Sequence, residues 1–258
     1  MKANYHTHCY RCKHAVGSEE DYIESAIRNG LKVIGISDHG QFPDDSFLRM
    51  DYKEVPIYLK ELDRLKEKYK KDIKVLKSFE IEYLPQYNDY YEYLLNDLKV
   101  DYLLCGQHNF MVEGKMYDVY HLEGNTKLIN YALSLKEAME SGYFKIIAHP
   151  DLIFMNEVPI DAYSRRAVEI ILDAAEETNT VLELNANGIR KGLHKFKHEI
   201  RYKYPSRFFW EQASKRNINV VIGSDCHDPK VLNDICITQA EIFAKDFNLR
   251  VIDYIDLK

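Results

Sequence analysis

The sequence predicts an α/β fold, a TIM-barrel-like barrel of parallel strands whose site lies at the C-terminal ends of those strands. Three observations predict it. Six apolar, strand-like stretches, residues 3–8, 33–39, 75–80, 102–108, 146–149 and 220–227, each end on a histidine or glutamate of metal-ligand type. These stretches alternate with segments of helical period. The length of 258 residues suits one α/β barrel domain, 1–258. A parallel barrel brings all strand C-termini to one face, so ligands far apart in sequence can share one cavity.

Taken in order, Ser18 and Asp21 signal a helix start, and Tyr22, Ile23, Ala26 and Ile27 form an apolar stripe that ends before Gly30. A strand over residues 32–36 follows at once. Further helices are predicted over 56–69, 88–98, 127–141, 161–178, 205–216 and 235–245, with a seventh strand at 180–184. Seven strands, each followed by a helix or long loop, read as repeated βα units and a parallel sheet. Three connections, 40–53, 109–125 and 187–204, are longer than scaffold requires, and long loops on that face carry specificity.

Composition narrows the function. With 46% hydrophobic and 29% charged residues the chain is globular, not disordered. A net charge of −6 lacks the basic field that favours nucleic acid, so a small molecule is the expected partner. Lys2-Ala3-Asn4-Tyr5 contains no apolar signal core and no run is long enough to span a bilayer, so a cytoplasmic protein without membrane contact is expected. Five cysteines without a regular framework are expected to be reduced thiols. Cys9 and Cys12 have redox-pair spacing but no second such pair and no helix to open, so they read as packing. Tyr87, Tyr90, Tyr91 and Tyr93 likewise fit helical packing better than an oligomer interface, and the oligomeric state is left open.

His6 and His8 stand two apart on a strand and so share a face, and Asp225 and His227 repeat that spacing. Imidazole nitrogen with carboxylate oxygen suits Zn, Mn or Fe. Any one of these residues could instead cap a helix or pair with lysine. The joint pattern argues otherwise: of ten histidines, His6, His8, His14, His39, His108, His149 and His227 lie at or just beyond strand ends.

The ordered motifs His6-Thr7-His8, His14, Ser37-Asp38-His39, Phe79-Glu80-Ile81-Glu82, Gly106-Gln107-His108, Ala148-His149-Pro150 and Gly223-Ser224-Asp225-Cys226-His227 resemble the polymerase and histidinol phosphatase (PHP) family, and most of all its monofunctional histidinol-phosphate phosphatases. The resemblance runs from the first strand to the last. It implies a distorted (β/α)7 barrel and three divalent metal ions. Carried over residue by residue, it implies one ion on His6, His8, Glu80 and Asp225, a second on His14, His39 and His227, and a third on Glu80, His108 and His149. Glu82 is the rival of Glu80, and spacing alone does not separate them.

Three such ions on two carboxylates and neutral imidazoles would leave a charge of roughly +4, or about +3 with a bridging hydroxide, which attracts a phosphate dianion. The hydroxide would be the nucleophile attacking phosphorus. Arg190, near the exit of the strand at 180–184, could reach a phosphate oxygen, with Lys191 and Asn185 beside it. Glu113 and Tyr117 are candidates for recognising an ammonium and an imidazole. Asp38 and Asp151 are candidate acids for the leaving group, or partners that orient the metal-binding histidines. The resemblance thus implies a metal-dependent phosphomonoesterase that hydrolyses L-histidinol phosphate. The alternatives are a PHP-type phosphoesterase acting on a nucleotide, another small phosphate ester or a nucleic-acid end, and a non-enzymatic metal-binding module.

Overall fold

The computed structural model describes residues 1–258 except Glu123, Thr126 and Lys258. The predicted loop 109–125 therefore includes one position, Glu123, outside the described residues. In chain order the strands are β1 (Ala3–Asn4), β2 (Val33–Ile36), β3 (Lys74–Ile81), β4 (Tyr102–Cys105), β5 (Asn109–Val112), β6 (Lys115–Asp118), β7 (Phe144–Ile147), β8 (Val181–Asn185), β9 (Leu193–Lys195), β10 (Ile200–Tyr202), β11 (Asn219–Gly223) and β12 (Arg250–Val251). Two antiparallel hairpins, β5–β6 and β9–β10, stand apart. The other strands form an eight-stranded parallel sheet in the order β1-β2-β3-β4-β7-β8-β11-β12.

The sheet curls until its ends meet. A parallel bridge joins Thr7, beyond β1, to Cys226, beyond β11, with Asp225 N donating to His6 O at 2.9 Å and His8 N to Cys226 O at 3.1 Å. The result is the predicted distorted α/β barrel. The first seven parallel strands in chain order are those read from the sequence, and β12 is an eighth strand that was not predicted. β12 pairs with the start of β11, at the other end of the seam from the Thr7–Cys226 bridge.

Alternation along the strands builds the interior. Ala3, Tyr5, Val33, Leu76, Tyr102, Leu104, Ile146, Ala148, Val181 and Val221 form one apolar cluster. Ile252, Ile255 and Leu257 pack against it, and Ile255 N donates to Tyr5 OH at 3.2 Å. The chain's last segment thereby stoppers the end of the barrel opposite the site.

Helices α1 (Glu19–Arg28), α2 (Val55–Tyr69), α3 (Asn88–Glu92), α4 (Leu128–Ser141), α5 (Ala162–Thr178), α6 (Ala186–Arg190), α7 (Arg207–Ala213) and α8 (Ile235–Asp246) surround the sheet. Ser18 and Asp21 form the capping box that starts α1, and Asp161 with Ser164 does the same for α5. Each cap contributes about 1 kcal/mol. α3 runs on into a wider turn over 93–97, filling the predicted helix, whereas α7 is shorter than the predicted 205–216 because Ser206 occupies its N-cap position. The two hairpins, and all of α6 but its first residue, lie inside segments read from sequence as loops.

All five cysteines are buried and unpaired. Burial pushes the Cys12 thiol up to about 12, which removes the thiolate that a redox pair needs. Tyr90 and Tyr91 are core residues. No helix among the described residues is long and apolar enough to cross a membrane.

Candidate metal centre

The strand ends deliver their polar side chains to one point, with Glu80 of β3 at its centre. Glu80 Oε1 lies 2.8 Å from His149 Nε2 and 3.5 Å from His108 Nε2. Its Oε2 lies 3.0 Å from His39 Nδ1, 3.3 Å from His6 Nε2 and 3.4 Å from His8 Nε2. One buried carboxylate thus faces five imidazoles. It fits because Gly106, just past β4, has no side chain: a Cβ there would come within 2.2 Å of Glu80 Oε1.

Asp225 supplies the second charge, its Oδ1 lying 3.1 Å from His8 Nε2 and 3.7 Å from His227 Nδ1. The Nε2 atoms of His6 and His8 are 3.0 Å apart, both turned toward these carboxylates. The His8 ring lies between those of His39 and His227, at 4.1 and 4.2 Å, and His14 closes the group 4.9 Å from His227. His149 and Asp225 hold left-handed backbone, φ 31° and 46°, a conformation costly for residues other than glycine and common at functional sites.

Burial opposes charge on Glu80, Asp225, His6, His8, His39 and His227, with different outcomes. Against that burial, Glu183, Glu80 and Asp225 raise the His6 pKa well above the ordinary histidine range, and Asp225, Asp38 and Glu80 raise His8 to about 9. The facing imidazoles hold Glu80 and Asp225 well below the carboxylate range despite their burial. Burial and the charge on His8 push His227 down to about 3. Protons on His6 and His8 therefore stand where other cations could.

The donor set fits divalent ions. Glu80 Oε2 lies within 3.4 Å of three ring nitrogens, yet is aligned for a hydrogen bond with none of them. Converging lone pairs without hydrogen bonds are satisfied by a cation. Ligand atoms of His14, His39 and His227 lie within 4.8 Å of one another, as do those of His6, His8 and Asp225, of His6, Glu80 and His149, and of His8, His39 and Glu80.

A cavity of about 400 Å³ opens over the cluster, lined by His14, His39, Glu80, His108, Asp225 and His227 and walled by Tyr120, Asn187, Lys191 and Tyr204. The Tyr120 ring stacks on His108, with centroids 5.8 Å apart and planes 10° from parallel. Lys191 Nζ donates to Tyr204 OH at 3.0 Å.

A profile of the PHP domain family matches residues 4–187. The chain belongs to the PHP domain family. It is 26% identical over 238 residues to a probable histidinol-phosphatase of Deinococcus radiodurans, spanning 87% of this chain and 85% of that one. It is 23% identical over 263 residues to the histidinol-phosphatase of Bacillus subtilis, spanning 88% and 94%. The crystal structure of histidinol phosphate phosphatase from Lactococcus lactis, complexed with zinc, L-histidinol and phosphate, superposes with a TM-score of 0.74 over 99% of this chain and 98% of that one. At 18% identity, that likeness shows a shared fold.

The other sequence candidates of this PHP chain fall in different places. Glu82 is the buried partner of Arg49, whose NH1 donates to Glu82 Oε2 at 2.7 Å while NH2 reaches Oε1. Asp38 lies behind the cavity, 3.4 Å from His8 Nδ1, and accepts from the Cys9 thiol at 3.0 Å. Asp151 lies behind His149 and accepts from Ser206 N at 2.5 Å and Trp210 Nε1 at 3.0 Å; burial raises its pKa to about 6.

Arg190 points away from the cavity: it donates to both oxygens of Asp234, at 2.9 and 3.1 Å, and to the carbonyls of Ser224 and Val231. Asn185 Nδ2 donates to Asp225 Oδ2 at 3.1 Å. Glu113 sits at the tip of the β5–β6 hairpin, and Tyr117 packs on Phe110 with Lys115 and Lys127 over its ring. Neither lines the PHP cavity. Tyr120, Asn187 and Tyr204, which do, stand in the two long loops where no periodicity singles them out.

Proposed function

We propose that this PHP protein is a metal-dependent phosphomonoesterase that hydrolyses L-histidinol phosphate to L-histidinol and phosphate, with residues 1–258 acting as one catalytic unit. The observation that carries the reading is the central Glu80 carboxylate, shared by five histidines at the floor of an open cavity. Near full-length similarity to histidinol-phosphatases supports the substrate. A net charge of −6 favours a small phosphate ester over a polyanion.

Three divalent ions of the Zn, Mn or Fe class would be held by His6, His8, Glu80 and Asp225, by His14, His39 and His227, and by Glu80, His108 and His149. Bound there, they supply Lewis-acid charge against phosphoryl oxygens and acidify water. The protein's own groups do the rest. Lys191, at the cavity mouth, draws in the phosphate dianion and is held in place by Tyr204. Tyr120 and Tyr204 wall the cavity with aromatic faces suited to an imidazole. Asp38 keeps His8 oriented from behind.

Phosphate release measured across L-histidinol phosphate, nucleoside monophosphates and short oligonucleotides tests the substrate. Histidinol phosphate should give the highest kcat/KM, and a preference for either nucleotide class would overturn the assignment. Lys191→Ala is expected to raise KM about tenfold, the loss of one charge-assisted hydrogen bond. Initial rates over a substrate series check it.

A further inference from the structure

β8 carries none of the nine residues assigned to metal, yet it places a carboxylate, Glu183, inside the barrel beside them. We propose, on the metal reading above, that Glu183 is a positioning residue that fixes three metal ligands just beyond three different strands. Glu183 is 1% exposed, and its carboxylate meets His6, His149 and Asn185 in the site. Its Oε1 meets His6 Nδ1 at 2.8 Å. Its Oε2 accepts from the backbone N of His149 at 3.1 Å and from Asn185 Nδ2 at 2.8 Å, and the same Asn185 amide reaches Asp225 Oδ2 at 3.1 Å.

Each contact sets a ligand. A carboxylate on Nδ1 keeps the proton there, so the lone pair of His6 Nε2 is presented toward Glu80, 3.3 Å away. The bond to His149 N secures a backbone whose φ of 31° is unfavourable for histidine. Through Asn185 the same carboxylate steadies Asp225, also left-handed at φ 46°.

The sequence makes room for this reach. β11 lies between β8 and the seam with β1, so the Glu183 side chain must cross β11 to touch His6. It crosses at Gly223, the register partner of Asn185, where a Cβ would come within 1.7 Å of Glu183 Oε1. A carboxylate is also required chemically. The His6, His149 and Asn185 groups that meet it are all donors, and glutamine would set an NH2 against one of them in a buried place. Turned toward His6, that NH2 would move the imidazole proton to Nε2 and block the ligand atom.

The test compares zinc binding by wild type, Glu183→Gln and Glu183→Asp in chelator competition, with the visible spectrum of the cobalt-loaded proteins as a second readout. Glu183→Gln should bind at least one zinc ion per chain about 10–100-fold more weakly and change the cobalt spectrum, and Glu183→Asp, which keeps both acceptor oxygens, should recover part of the affinity. Wild-type zinc affinity and cobalt spectrum in folded Glu183→Gln would overturn the proposal even if its phosphatase rate fell. If Glu183→Gln does not fold, Gly223→Ala is read the same way, since its Cβ displaces the Glu183 carboxylate. Wild type that binds no divalent ion would overturn the metal reading itself.

Discussion

Glu80→Ala is expected to lower turnover by at least about 10³-fold, because the variant removes the one carboxylate on which both halves of the cluster converge. His149 and His108 meet Glu80 through one oxygen, and His6, His8 and His39 face the other. The apolar clusters of the barrel do not include Glu80, so the variant should still fold. Phosphate release at saturating substrate, with circular dichroism to confirm folding, measures the effect. Wild-type turnover in a folded variant would make the cluster structural.

Arg49→Leu should have the largest effect on stability, a loss of about 3–5 kcal/mol, because it strands Glu82 without its ion pair. Both side chains are buried. Against the cost of burial, the Arg49 guanidinium holds the Glu82 carboxyl at about 2, below its ordinary 4.5. A depressed folded-state pKa contributes stability that is complete above 4.5 and lost as pH falls toward about 2. The gap between wild type and variant in urea unfolding should therefore be full at neutral pH and narrow in acid. An equal midpoint at neutral pH would show that Glu82 does not depend on Arg49.

These two predictions divide a pair that sequence spacing left undivided. Glu80 lies in β3 and Glu82 just beyond it, two residues apart, and only folding, which brings Arg49 to Glu82 and leaves room for Glu80 at Gly106, gives one to the cluster and the other to an arginine. Six of the nine candidate ligands, His8, His39, Glu80, His108, His149 and His227, were legible because each ends an apolar run, a local signal. The substrate side was less so. Arg190 looked like a phosphate hook beside a strand exit, but its donors turn to Asp234 and to backbone carbonyls of the turn after β11. Tyr120 and Tyr204 gained their place only when two long connections folded over the mouth. Glu183 did leave a trace, a charge inside the apolar run Val181-Leu182-Glu183-Leu184, where a buried acid needs partners that another strand must supply.

The bridge between Thr7 and Cys226 has a consequence for the order in which this molecule can assemble. His6 and His8 flank one side of that bridge, and Asp225 and His227 flank the other, so the cluster straddles the join between the chain beyond β1 and the chain beyond β11. Contacts between residues so far apart in sequence carry a large loop-closure cost. A chain folded everywhere except at this join would have its helices, most of its sheet and no assembled centre. Catalysis is then expected of the closed ring alone, and its first appearance during refolding would time the closure of that join.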